Sequence, residues 1–565
     1  MMKTKDNLSS KLLKGAAVLS AAALLTKLLG MLQKIPLQNI GGDGVFGIYN
    51  TVYPFYLLFL TLTTTGFQAA VAKFVAERQA SGRENEQRDV LGTAMIGMSL
   101  LGGACAALLY FGAPGLSRLI GSSLLTPALQ GAAPALLFAP LTAVLRGYFQ
   151  GLQNMIPTAL SQVTEQAARV AVMILLLLYL SGLHRPEHVL AGGALAGSAA
   201  GAAVGLMAIL IYWRNHGWRS AGAIFDERLS VPRGKDPVAK SGVKLEDGSG
   251  QSFAASSMDR ISLLRALWRY ALPISLAALA VPLISLVDTF TLPRLLPGHG
   301  GELQVMAQVG VYNRGIPLVQ LVTMLASSLS VLFIPAMAEL QIKGHTSAIR
   351  KQVQLALRWF WLIGLAASLG LSMLAEPINV MLYEDAAGTG TLAWIAWTAA
   401  PGAMVAVTSA LLQGLGHVRA PAWHLLAAAI LKTTLNVLLV PQLGITGAAL
   451  AGIAAYGVAA ALNLALLLRC TGQRPRLRDA LLRPLAAALA MAAALGLLRL
   501  AAAELPPGRS LAAAESLLGV LLGAAVFVAA VLRTRLLTAA ELGALPRVGP
   551  KLLSLLRKLR LLPPS

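Results

Sequence analysis

Eight ionisable side chains stand inside, or near the ends of, long apolar runs. Lys27, Lys34, Lys73, Arg169, Arg314 and Lys432 are basic; Glu165 and Asp288 are acidic. A charge at the centre of a bilayer costs roughly 2.5–3.5 kcal/mol on insertion scales, so six unpaired cations would cost about 15–20 kcal/mol. Such groups persist only if they snorkel, pair with a counter-charge or line a wet cavity. An excess of deep cations favours an anionic guest, and diphosphate suits both Lys and Arg. A cation exporter would want the opposite balance.

Each position carries its own alternatives. Lys73 lies near the inner end of its run, where snorkelling accounts for it. Lys34 lies near an outer end, and snorkelling competes there with binding. Glu165 and Arg169 are four apart on one helix and can neutralise each other. Lys432 has no acid four residues away. Lys27 sits in Thr26-Lys27-Leu28-Leu29-Gly30, one or two turns from the inner end. Arg314 follows Tyr312-Asn313, precedes Pro317 and is the leading anion-binding candidate. Asp288 is either its partner or a proton or sodium site. The expected substrate-binding set is Lys27, Lys34, Arg169, Arg314 and Lys432, with Asp288 and Glu165 as candidates for ion coupling.

Other chemistry finds little support. His184 and His188 flank Glu187 beside a short outer loop, a weak metal pattern. No Gly-rich phosphate loop with its lysine occurs, so no nucleotide motor is built in. Cys105 and Cys470 lie in separate apolar segments and imply neither disulfide nor metal pair. The outer loops leave little room for an extracytoplasmic catalytic domain. No catalytic residue, metal or cofactor is expected, and the chain is not read as an enzyme. Energy must come from ion gradients, the membrane potential or substrate consumption.

The elements that position these residues are membrane helices. The 565 residues are 56% hydrophobic and 12% charged, with a mean hydropathy of +0.68. A soluble fold cannot hide that much apolar surface. The net charge of +22 would suggest nucleic acid on a soluble protein, but here it falls in loops, so no nucleic-acid partner is expected. The first apolar run is too long for a signal peptide and lacks a clean cleavage site. At about 20 apolar residues per span, fourteen spans are predicted. Six cover 15–36, 45–75, 91–112, 129–149, 157–180 and 189–213. Six more cover 267–292, 304–338, 354–374, 392–412, 421–440 and 445–468, and a featureless pair covers 481–498 and 511–531.

The chain also repeats itself. Gly47-Ile48-Tyr49-Asn50 with Pro54 returns as Gly310-Val311-Tyr312-Asn313 with Pro317, an offset of 263 residues. The same offset carries Gln150-Gly151-Leu152 onto Gln413-Gly414-Leu415 and Arg169 onto Lys432. Such an internal repeat marks a duplication. The predicted architecture is an all-α, polytopic membrane protein: two six-helix repeats plus two C-terminal helices. Its parts are a first bundle over 1–213, a polar cytoplasmic loop over 214–265, a second bundle over 266–470, the extra helix pair over 471–533 and a basic tail over 534–565. An even number of spans per repeat puts the symmetry axis along the membrane normal, the arrangement of V-shaped, alternating-access transporters.

Charge sets the orientation. Lys3, Lys5, Lys11 and Lys14, then Arg78, Arg83 and Arg88, the middle loop and the 474–478 run share one side, while Glu384-Asp385 lies on the other. By the positive-inside rule both termini are cytoplasmic. The 551–562 segment alternates Leu with Lys and Arg, as expected of an amphipathic helix bound to anionic lipids of the inner leaflet; a regulatory or partner-binding role is the alternative. Pro54, Pro157, Pro273, Pro282, Pro317, Pro335 and Pro421 interrupt helices, which suits a moving machine as well as ordinary membrane packing.

At five places the residues match a known pattern. They are Lys27-Leu28-Leu29-Gly30, the Gly41-Gly42-Asp43-Gly44 turn, Gly47-Ile48-Tyr49-Asn50, Val71-Ala72-Lys73-Phe74-Val75-Ala76-Glu77, and Tyr312-Asn313-Arg314 with Pro317. With the two repeats and the extra helix pair, the chain resembles the polysaccharide-transporter branch of the multidrug/oligosaccharidyl-lipid/polysaccharide flippase superfamily. More closely it is similar to the stage V sporulation protein B and polysaccharide biosynthesis protein group, relatives of the lipid II flippase. The resemblance implies a cell-membrane flippase for an undecaprenyl-diphosphate-linked oligosaccharide or peptidoglycan precursor, acting in cell-wall or polysaccharide synthesis; a monomer is expected. It also implies that cavity cations bind the diphosphate. Arg314 sits where that family has a key arginine in helix eight, and Lys27 where the lipid II flippase has one in helix one. Gln33 stands where a second arginine of helix one is expected, and helix two lacks a mid-membrane arginine, which leaves the glycan open. The alternatives are a cation-coupled multidrug exporter of the same superfamily, which would depend on Asp288 and Glu165, a membrane glycan polymerase, and a scaffold without transport.

Overall fold

The computed structural model describes residues 2–226, 260–298, 300–473, 482–534 and 536. These are helices joined by short turns, with no strand among the described residues. A bilayer leaves no alternative to helices for apolar spans whose peptide groups must pair internally. Most of the 214–265 loop, the 474–478 basic run and nearly all of the tail lie outside the described residues.

Among the described residues twelve helical stretches are long and apolar enough to span, against fourteen predicted stretches. Two local features account for the difference. The first two stretches fall in one unbroken apolar run, Ala17–Ala80, but helix Met2–Leu32 ends within it and non-helical backbone at Gly42, φ 79°, separates two further helices. The seventh stretch is divided between Arg260–Ala278, which carries Arg260, Arg265 and Arg269, and Ala280–Leu295, which at 16 residues is shorter than a full span. The repeat persists at helix level. At the 263-residue offset, Ala135–Gly151 corresponds to Ala399–Gly414, and Ile156–Gly182 to Ala420–Leu443.

The chain forms two compact units. The first comprises 1–33, 52–116 and 125–282. Its core holds Phe67, Val71, Met98, Leu145, Tyr148 and Leu267. Helix Arg260–Ala278 crosses the 52–80 segment at Gly66. A Cβ there would lie 2.0 Å from the Ala271 carbonyl oxygen, and the Gly66 N–H donates to Ser275 Oγ at 3.1 Å.

The second unit comprises 34–51, 117–124 and 283–565. Inside it the 34–51 segment crosses helix Glu302–Asn313 at the repeated glycines. A Cβ on Gly47 would lie 1.8 Å from Met306 O, and one on Gly310 would lie 2.0 Å from Asp43 O. At the repeat offset Asp43 corresponds to Met306 and Gly47 to Gly310, so the contact is reciprocal. Small residues allow such backbone approach between membrane helices. Gly310→Ala is therefore expected to force the helices apart at a cost of about 2–3 kcal/mol, read as a lowered melting temperature of the purified protein; an unchanged melt would contradict the crossing. The extra helices, Arg483–Ala503 and Arg509–Arg533, pack through Met491, Leu495 and Phe527 onto Leu362, Leu365 and Leu374. Arg499 pairs with Glu376, and Arg509 with Glu384.

Candidate functional site

Five of the eight deep charges fall into three clusters. The first surrounds Arg314, between helix Glu302–Asn313 and helix Ile316–Ser330. Pro317 is tolerated there because it occupies a first helical turn, where its missing N–H has no partner to lose. Arg314 is 0% exposed. Its Nε and Nη2 donate to Asp43 at 2.9 and 2.6 Å. Its Nη1 and Nη2 donate to Asp385 at 2.5 and 3.0 Å, and Nη1 reaches Asn379 Oδ1 at 3.4 Å. The kink at Gly42, a conformation that glycine adopts without steric cost, directly precedes Asp43. Glu384 takes φ 71° directly before Asp385. Tyr383 donates to the Arg314 carbonyl at 3.0 Å. Donation from Arg314 holds the Asp385 carboxyl below its ordinary range, and burial pushes the Tyr383 phenol well up.

The second cluster belongs to the same unit. Lys432 Nζ donates to Asp288 Oδ2 at 2.5 Å. Tyr312 donates to the same oxygen at 3.1 Å, and Asn436 Nδ2 donates to Oδ1 at 3.1 Å. Lys432 and Asn436 are one turn apart on Ala420–Leu443 and are 4% and 0% exposed. The reading of Asp288 as partner of Arg314 is thus corrected: Arg314 takes its carboxylates from Asp43 and Asp385, and Asp288 answers Lys432. The missing acid four residues from Lys432 is supplied by another helix.

The third cluster lies in the first unit. Glu165 Oε1 accepts from Arg169 Nη2 at 2.9 Å, the pair its spacing predicts. Its Oε2 accepts from Arg146 Nη2 at 2.8 Å. Arg146 also donates to Ser161 Oγ through Nη2 at 2.8 Å. Ser161 in turn donates to the Gly205 carbonyl at 2.8 Å. One carboxylate therefore serves two guanidiniums. Sequence reasoning missed Arg146, although a lone arginine inside the predicted 129–149 span is the same signal that marked the others. It also gave Asp43 and Asp385 no site role.

Lys27 is exposed and Lys34 is 8% exposed; no ion pair is formed by either among the described residues. Lys73 lies 3.8 Å from Glu77 and over the Tyr270 ring, half-exposed as a snorkelling lysine would be. A cavity of about 270 Å³ is lined by Ser122, Pro293, Glu302 and Met306 among others, and none of the predicted site residues borders it. No group of three or more His, Cys, Asp or Glu suited to a metal occurs among the described residues.

Residues 12–341 match the family described as "Polysaccharide biosynthesis protein", and residues 305–522 match that described as "Lipid II flippase MurJ". The uncharacterized membrane protein YabM of Bacillus subtilis is 32% identical, covering 96% of both chains. The lipid II flippase MurJ of Bacillus subtilis is 27% identical over 80% of this chain and 81% of that one. Stage V sporulation protein B of the same organism is 26% identical over 78% and 80%. Among solved structures, an inward-facing multidrug resistance transporter of the MATE family and MOP superfamily aligns with TM-score 0.62 at 14% identity, covering 81% of this chain and 98% of that one. The lipid II flippase MurJ in an inward closed conformation aligns with TM-score 0.61 at 13% identity, covering 91% and 98%. These structures share the fold. By the match over 12–341 and the likeness to YabM, the chain belongs to the polysaccharide biosynthesis protein family of multi-pass membrane proteins.

Proposed function

We propose that this protein is a flippase that carries polyprenyl-diphosphate-linked saccharides, lipid II-like peptidoglycan precursors among them, across the cytoplasmic membrane. The names of its relatives support the reading. The observation that carries it on the chain itself is the pair of guanidiniums, Arg146 and Arg169, over the single Glu165 carboxylate. With Lys27 and Lys34 unpaired, cation is left over for an anionic guest. The excess is smaller than the sequence suggests, because Arg314 faces two carboxylates. Lys27, Lys34, Arg169, Arg314 and Lys432 form the proposed substrate-binding set. Arg314 would reach the diphosphate by exchanging the half-exposed Asp385 for a phosphate oxygen. The termini are cytoplasmic in this reading, the tail meets anionic lipid, and the protein acts as a monomer without catalytic chemistry.

The cation-coupled exporter is disfavoured by the same geometry. Asp288 is held by Lys432 and Glu165 by two arginines, so the deep acids that a cation would seek are already answered. Asp288 and Glu165 remain the candidates for ion coupling. The test is transbilayer movement of a fluorescent polyprenyl-diphosphate sugar in energised proteoliposomes. Movement by wild type is expected. No movement, together with Asp288-dependent export of cationic drugs, would overturn the proposal.

A further inference from the structure

The second helix begins with a polar face that the three clusters do not use. Lys34 is 8% exposed and makes no hydrogen bond or ion pair among the described residues. Gln38, one turn later, is 5% exposed. Its Nε2 donates to Asp43 Oδ1 at 3.2 Å, and its Oε1 is buried without a partner. The amide cannot be turned around. Asp43 accepts from Arg314 through both carboxyl oxygens, so the NH2 group must face it. Gln38 Oε1 is therefore fixed as an acceptor awaiting a donor. Asn39 Oδ1, beside it, is also buried and unpartnered. A buried acceptor left unmade costs free energy, as does a buried ammonium without an anion.

We infer that Lys34 and Gln38 form a subsite for a glycosyl diphosphate, with Lys34 on a phosphate oxygen and Gln38 accepting a hydroxyl or amide N–H of the first sugar. Residues four apart on a helix face stand about 5–6 Å from each other. That suits a phosphate and the substituent at C2 of the sugar, the carbon next to the one bearing the diphosphate. The chain Arg314–Asp43–Gln38 sets the polarity of the reading group, so the subsite selects ligands that donate there. The inference rests on the flippase reading and adds the specificity of its headgroup site.

The test uses two short-chain polyprenyl diphosphates, one bearing a 2-acetamido sugar and one bearing its 2-deoxy analogue, with purified full-length protein. Wild type is expected to bind the donor-bearing ligand about tenfold more tightly, because a site built to receive a hydrogen bond rejects the analogue lacking it. Lys34→Gln should weaken both ligands alike, by about tenfold or more. Gln38→Leu and Gln38→Met should weaken only the acetamido ligand and erase the preference. A preference that survives both Gln38 variants, in protein with wild-type melting behaviour, would overturn the subsite. So would wild type that binds both ligands equally. Wild type that binds neither would instead count against the flippase reading itself.

Discussion

Arg314→Ala is expected to abolish transport and also to weaken the fold. The side chain is 0% exposed, and it makes four charge-assisted hydrogen bonds to Asp43 and Asp385. Removing one partner of a buried ion pair costs about 3–5 kcal/mol, because the other charge is left uncompensated. The Asp385 side chain is 51% exposed and regains water, so about 3 kcal/mol is the expectation. Arg314→Lys keeps the charge but loses the planar fork and should fall between the two. The pair also sets an acid limit. The native Asp385 carboxyl titrates below its ordinary value of 3.8, so its contribution is present above that value and is lost only as pH falls through the lower native one. In Arg314→Ala the titration should move back up, which carboxyl NMR of labelled aspartate would detect. Full transport with an unchanged melt would remove Arg314 from the machinery.

Glu165→Ala should be comparably severe in the first unit. It takes from Arg146 and Arg169, whose side chains are 12% and 8% exposed, the carboxylate that they share. The expected loss is again about 3–5 kcal/mol. Glu165→Gln retains the hydrogen-bonding shape without the charge and should lose less. Adding Arg146→Leu to Glu165→Ala should restore part of the stability, since coupled residues give non-additive effects. Thermal denaturation of wild type, Glu165→Ala, Arg146→Leu and the double variant measures this. Simple additivity would mean that the three side chains do not act as one cluster.

Membrane class, the positions of most spans and the duplication were legible because each rests on local signals: apolar length, loop charge and short repeated strings. The Glu165–Arg169 pair was legible for the same reason, since four residues on a helix fix a distance. The partners of Arg314 were not. Asp43 is 271 residues away and Asp385 71, and nothing in a run of apolar letters says which helix ends meet. Asp288 looked available to Arg314 because both are deep and near the same end of adjacent spans. The crossing of helices gave it to Lys432 instead. The span count differed because the first two predicted stretches form one unbroken apolar run, 17–80, although non-helical backbone at Gly42 separates two helices within it.

A duplicated chain can diverge nearly everywhere, and this one has: Arg146 corresponds to Ser409, and Ser161 to His424. Gly47 and Gly310 lack that freedom. Each copy packs against its own counterpart, so a larger residue arising in either copy meets the same unyielding backbone, and drift in one half cannot be offset by the other. The two glycines therefore answer to one packing constraint, the backbone crossing that each would obstruct with a side chain.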